Sequence, residues 1–302
     1  LNTDDIRVDA GANKGTGGLW LLDPADATIS QTVANGYANT LNTGTNVTNE
    51  VAGNIAWTSG VFLNKTSGGD ATLTIRTNPT TAGVSNTITL TNNTITSTSG
   101  ALNVVLWTDL NTKFAGSRIS ISGSTLTTNG GSLWVGGGAT AASPWNGLTV
   151  GSATANTWTV DSQAIYVGGS NITTGAGSMS FNGLSQYTGT TAATNMNAGL
   201  WIAPGTTLST TTGSITLKGD VKSKYASGFG TLIGGWGTST GNVTLQTTSG
   251  AMDISGTGSD ATGTTTGYRS ALALVSAGTG DQTVLKSSSG AINLTGTGSF
   301  TV

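Results

Sequence analysis

An internal repeat constrains this chain more than any other feature. The tract Ser249-Gly250-Ala251-Met252-Asp253-Ile254-Ser255-Gly256-Thr257-Gly258-Ser259 returns forty residues later as Ser289-Gly290-Ala291-Ile292-Asn293-Leu294-Thr295-Gly296-Thr297-Gly298-Ser299. Each copy follows, at the same distance, a short apolar patch, Val243-Thr244-Leu245-Gln246 or Thr283-Val284-Leu285-Lys286. A triplet completes the unit at Leu133-Trp134-Val135, Ile165-Tyr166-Val167, Leu200-Trp201-Ile202, Leu232-Ile233 and Leu272-Ala273-Leu274, at steps of 32 to 40 residues. Second patches follow at Leu148 to Val150, Ile172 and Leu208, and third patches at Trp158 to Val160, Met179 to Phe181 and Ile215 to Leu217. Upstream the same order reads Ala71 to Ile75, Ile88 to Leu90, Ile95, then Leu102 to Leu106, Arg118 to Ile121 and Leu126. Fixed order with variable step is what stacked units with loop insertions produce. No segment sustains helical periodicity. The expected fold is all-β: a right-handed parallel β-helix, or β-solenoid, with three short strands per coil and negligible helix. Residues 1–302 read as one continuous unit, in looser register over 1–69 and regular over 70–302.

Composition decides between a folded and a disordered repeat. Charged residues are 8% of the chain, against about 25% in an average globular protein. Gly and Pro together are 47 + 4 = 51 of 302 residues, below the ~25–30% of low-complexity chains. Regular apolar clusters separated by Gly, Asn, Ser and Thr therefore indicate folded strands. A net charge of −2 supplies no basic field for nucleic acid or anionic membrane. There is no Cys and no His, which removes disulfides, thiolate chemistry and the commonest general base and metal ligand. No cofactor is expected. No apolar run approaches the ~18 residues of a membrane span.

The stretch Ile6-Arg7-Val8-Asp9, followed by Gly17-Gly18-Leu19-Trp20-Leu21-Leu22-Asp23-Pro24-Ala25-Asp26-Ala27-Thr28-Ile29, resembles the "WLLDP" segment of filamentous-haemagglutinin-like exoproteins of Gram-negative bacteria. Those include the two-partner-secretion adhesins. Trp57-Thr58-Ser59-Gly60, Ala71-Thr72-Leu73-Thr74-Ile75 and Gly100-Ala101-Leu102-Asn103-Val104 are similar to the coils that follow it in that family. The likeness is specific over residues 6–106 and diffuse beyond. It implies a secreted, surface-displayed β-helix passenger with a role in adhesion or matrix formation, and partners among host or bacterial glycans and proteins. A structural fibre or biofilm-matrix subunit is the first alternative.

A polysaccharide-active enzyme is the second, because parallel β-helices also host polysaccharide lyases and hydrolases; glycosidases, however, need two carboxylates about 5 to 9.5 Å apart. Asp253 aligns with Thr216 and Asn293, which are not acidic, and Asp161, Asp220 and Asp260 fall at expected corners. The chain is therefore read as non-enzymatic. For binding, the motif small-apolar-aromatic-apolar recurs at Trp20, Trp134, Tyr166 and Trp201. With Leu133 and Val135 inside, alternation puts Trp134 outside, so these four residues are expected to form one exposed aromatic column. The competing reading is that long loops fold over the stripe. Lys218, Lys222 and Lys224 around Asp220 are expected in a loop between coils, where binding residues often lie. Asn-x-Ser/Thr sequons at Asn46, Asn64, Asn92, Asn171, Asn242 and Asn293 carry little weight in so Asn- and Thr-rich a chain. Neither end of the sequence reads as capped, which suggests a slice of a longer adhesin or subunits that stack end to end.

Overall fold

The computed structural model describes residues 19–22, 26–78, 86–108, 117–137, 153–154, 162–187, 196–223, 228–260 and 269–299. It is a right-handed parallel β-helix with three strands per coil. Sheet 1 is built from Leu19–Leu22, Asn46–Val51, Ala71–Thr77, Leu102–Thr108, Leu133–Gly137, Met179–Tyr187, Ile215–Ser223, Met252–Asp260 and Ile292–Ser299, with Ala153–Thr154 paired on Met179–Tyr187. Sheet 2 contains Ala27–Ile29, Ile55–Trp57, Thr87–Thr91, Arg118–Ser122, Ser162–Gly168, Asn197–Ile202, Gly228–Gly234 and Arg269–Val275. Sheet 3 contains Phe62–Lys65, Thr94–Ser97, Thr125–Thr127, Asn171–Gly175, Thr207–Thr210, Val243–Thr247 and Thr283–Ser287. From Asn46 onward the described strands visit the sheets in that order, apart from the short Ala153–Thr154, and coils stack at the ~4.8 Å strand spacing.

Stacking turns the sequence repeat into continuous apolar columns. Inward residues of sheet 3 align as Leu63, Ile95, Leu126, Ile172, Leu208 and Leu245, and those of sheet 1 as Leu73, Val104, Leu133, Met179, Ile215 and Met252. All are buried in one core. Because every inward side chain lies on its counterpart one coil away, each coil buries its apolar stripe only through its neighbours. Regular register already holds at Asn46–Val51, upstream of where the sequence pattern becomes clear.

Two corrections concern elements. Leu133–Val135 belongs to sheet 1, between Val104–Leu106 and Met179–Phe181, and not with the sheet-2 strands containing Ile165–Val167 and Leu200–Ile202. Thr125–Thr127 already supplies that coil's sheet-3 strand, so the next strand must return to sheet 1. The patches Leu148 to Val150 and Trp158 to Val160 lie outside the described residues. The second correction is an α-helix, Gln31–Leu41, where the first coil would place its sheet-3 strand. Ser30 caps it, its Oγ accepting from the Val33 N–H at 3.3 Å. Ala34, Tyr37, Ala38 and Leu41 form its buried face at helical spacing. Asn and Gly in the segment are weak helix formers; packing against Phe62–Lys65 holds it instead. Gln31 meets the edge of that strand with both amide atoms, Nε2 donating to the Phe62 carbonyl at 2.7 Å and Oε1 accepting from the Phe62 N–H at 2.9 Å. Asn42 Oδ1 accepts from the N–H groups of Thr66 and Ser67 at 2.7 and 3.1 Å. The sheet-3 edge expected to be open at this end is covered.

The corner from sheet 3 to sheet 1 is closed by a recurring device. A hydroxyl facing inward at the end of the sheet-3 strand donates to the carbonyl of a glycine three residues on: Ser97 to Gly100, Thr128 to Gly131, Thr174 to Gly177 and Thr210 to Gly213, at 2.5 to 2.9 Å. In the first such corner Lys65 takes the hydroxyl's place. It is fully buried, and its Nζ donates to the carbonyls of Ser67, Gly68 and Ser99. Burial pulls the Lys65 ammonium below the ordinary lysine range, with Asp70 opposing the shift. The glycines stack backbone on backbone. A Cβ on Gly177, Gly213, Gly250 or Gly290 would stand 1.9 to 2.0 Å from the carbonyl oxygen of the glycine one coil below. Gly213→Ala is therefore expected to destabilise the solenoid by at least the ~1–3 kcal/mol of an overpacked site. Gly69→Ala, with nothing within 4 Å of the new methyl, should stay within about 0.5 kcal/mol of wild type. Urea unfolding followed by circular dichroism compares the two, and equal midpoints would refute the steric role of the column.

Candidate binding surfaces

The residues expected as one exposed aromatic column fall on two sheets. Trp134 is in sheet 1, opposite Val105 and Ser180, whereas Tyr166 and Trp201 face each other in sheet 2. Trp20 is in the Leu19–Leu22 strand of sheet 1, opposite Val47; its side chain lies outside the described residues. Alternation is as read, since Leu133 and Val135 enter the main core and Trp134 does not. Exposure is not as read: Trp134 is 2% and Trp201 6% exposed. Trp134 stands edge-on to Trp107 with centroids 5.2 Å apart and packs with Val105. Trp201 stands edge-on to Tyr166 at the same separation, donates Nε1 to the Gly234 carbonyl at 2.9 Å, and joins Met196, Phe229 and Leu232 in a second cluster outside the main core. Tyr166 is half-buried, with the Arg118 guanidinium 5.9 Å from its ring centre. Burial raises its phenol above the ordinary range and Arg118 opposes the shift. Large apolar rings placed on an outer face gain most by being covered, and these became secondary cores rather than a platform.

Lys218 and Lys222 are not in a loop. Both are exposed on the strand Ile215–Ser223; Lys224 lies outside the described residues. In the last coils the sheet-1 strands run on past the core and cross the beginnings of the sheet-2 strands. The crossing needs backbone to touch backbone. A Cβ on Gly183, Gly219 or Gly256 would stand 2.1, 2.0 or 1.8 Å from the carbonyl oxygen of Gly199, Gly230 or Ala271 respectively. Glycine there reads as a loop signal in sequence, but here it permits two layers to approach.

Beyond the crossing the extended strands stay in register, so Leu184, Asp220, Thr257 and Thr297 share one column and Lys222 and Ser259 the next. Between the columns runs an open groove of about 260 Å³, floored by Val221, Gly258 and Gly298. The Thr257 hydroxyl donates to Asp220 Oδ1. Asp220, expected at a corner, thus lies mid-strand beside this groove.

A third surface was not singled out from the sequence. The outer face of sheet 3 carries Thr94 and Thr96, Thr125 and Thr127, Asn171 and Thr173, Thr207 and Ser209, and Thr244 and Gln246, strand on strand in two columns. Asn171 is exposed and its neighbours on this face are half-buried. The legible signal was the alternation polar-apolar-polar around Ile95, Leu126, Ile172, Leu208 and Leu245. The result is a neutral strip of hydroxyl and amide groups along the solenoid axis.

Several of the described carboxylates are engaged structurally. Glu50 pairs with Arg76 and accepts from Asn78 Nδ2 at 2.6 Å. Asp26 accepts from the Asn54 N–H at 2.6 Å, Asp70 from the Ala101 N–H at 2.7 Å, and Asp253 from Asn293 Nδ2 at 2.7 Å. Among the described residues no group of three or more Asp or Glu could hold a metal ion, and no helix is long and apolar enough to cross a membrane. Comparison with protein-family models, curated proteins and solved structures found no match to this chain.

Truncating the buried indoles is expected to read out as stability. Trp134→Ala should cost about 3–5 kcal/mol. Trp201→Phe should cost in addition to its lost volume the ~1 kcal/mol of its Nε1 hydrogen bond, whereas Trp134 Nε1 has no acceptor among the described residues to lose. Chemical denaturation of the variants measures this; an unchanged unfolding midpoint for Trp134→Ala would mean that the ring is not packed as described.

Proposed function

We propose that the chain is a non-enzymatic segment of a bacterial surface adhesin, an extended stalk of a secreted Gram-negative protein that attaches to glycans or proteins on other surfaces. The observation that carries this reading is the outer face of sheet 3. Successive strands repeat the same neutral donors and acceptors at ~4.8 Å along the axis and at ~6.6 Å across it. Such a strip suits a polymeric or surface-bound partner rich in hydroxyls, because many weak hydrogen bonds act together when they are held in line. The resemblance of residues 6–106 to filamentous-haemagglutinin-like exoproteins points the same way. The alternative of a fibre growing end to end is less well supported, because the helix Gln31–Leu41 occupies the sheet-3 edge on which a further coil would have to pair.

Attachment of the purified chain to glycan-coated surfaces and to bacterial or host cells is the direct test. Replacing Thr96, Thr127 and Thr173 together with Glu leaves the inward column untouched. It is expected to lower attachment at least about tenfold, the scale of one or two lost hydrogen bonds, with an unchanged circular dichroism spectrum. Attachment by the variant equal to that of wild type would overturn the role of this face, and polysaccharide cleavage by the wild-type chain would overturn the non-enzymatic reading.

A further inference from the structure

The groove on the extended part of sheet 1 is unlike the sheet-3 strip in being discrete and amphipathic. We propose that it is a binding site for a single neutral pyranose unit of a glycan, an assignment that rests on the adhesin reading and gives it a specific receptor contact. Its volume of about 260 Å³ admits one sugar ring in an open cleft, at the small end of ligand sites. Leu184 at one end and the bare backbone at Gly258 in the floor offer carbon surface to the apolar face of a ring. The polar groups are placed at the sides. Asp220 Oδ1 is held by the Thr257 hydroxyl, which fixes the carboxylate and leaves Oδ2 to accept from sugar hydroxyls. Lys222, two residues on along the same face and exposed, donates to hydroxyl or ring oxygens from the opposite column.

Charge selects the class of sugar. One carboxylate and one ammonium leave the groove itself near neutral, so a neutral sugar forms charge-assisted hydrogen bonds with both at no net Coulombic penalty. An acidic sugar would bring its carboxylate towards Asp220. In the neighbouring coil the positions of Asp220 and Lys222 are Thr257 and Ser259, which continue the two sides of the groove.

The test uses the whole 302-residue chain with neutral oligosaccharides (galacto-, gluco- and manno-configured) and their sialylated or uronic-acid counterparts, read by saturation-transfer NMR and calorimetry. Neutral sugars are expected to bind, and Asp220→Ala to weaken them at least about tenfold, the scale of a hydrogen bond to a charged group. Lys222→Ala should weaken them severalfold, and Lys218→Ala, on the same strand but outside the groove, should not. Asp220→Asn keeps an acceptor for Thr257, so weakened binding in this variant separates loss of charge from loss of local structure. Neutral-sugar affinity unchanged in Asp220→Asn and Lys222→Ala overturns the groove while leaving the adhesin reading intact. Preference for acidic sugars overturns the proposed class. A wild-type chain that attaches to cells but binds no free saccharide also overturns the groove alone; one that does neither overturns both readings.

Discussion

Everything in this fold depends on coil-to-coil stacking. A strand of the solenoid has no hydrogen-bonding partner within its own coil. Its N–H and C=O groups pair with strands 26 to 46 residues away on either side, and its inward side chains bury themselves on the same neighbours. The backbone ladder and the core are therefore one interaction seen from two directions. Where two coils must come closest, at the corner glycines and at the crossing of sheets 1 and 2, even a methyl group is too much.

This dependence separates inside from outside more sharply than in most folds. Inward columns accept almost entirely apolar residues, with Phe181 and Trp57 among the aliphatic ones, and corner columns only a small hydroxyl or, once, a lysine whose ammonium reaches three carbonyls. Outward columns are fixed in place but not in kind. Sheet 3 uses them for Thr, Ser and Asn, the extended end of sheet 1 for Lys, Asp and Thr, and the outer faces of sheets 1 and 2 for tryptophans that bury one another. One scaffold thus presents surfaces of different chemistry side by side, each in register with the rest.

Much of this was legible in the sequence. Val243–Thr247 followed by the Met252 tract, repeated at Thr283 and Ile292, discloses both the strand order and the coil, since the side-chain period of two and the repeat leave little else for those residues to do. Three features were not legible. Trp134 and Trp201 point outward as alternation requires, but alternation says only which way a ring points and nothing of what lies over it. Lys218 and Lys222 flank Gly219, and sequence cannot distinguish a glycine that turns the chain from one that lets two sheets touch. The helix Gln31–Leu41 has weak intrinsic propensity, and its apolar spacing at Ala34, Tyr37 and Leu41 gains meaning only against the edge it covers. The groove beside Asp220 needed the extended strands to be placed in register first, as its lining comes from four separate coils.

The side-chain amides of Gln31 and Asn42 impersonate a strand, offering Phe62, Thr66 and Ser67 the donors and acceptors that a further coil would have supplied. A foreign extended peptide arriving at that rim finds its docking points already taken by groups anchored on a folded helix, and it must evict them before it can add itself to the sheet. The molecule therefore has a direction: at this end sheet 3 is closed to an added strand by the chain's own helix.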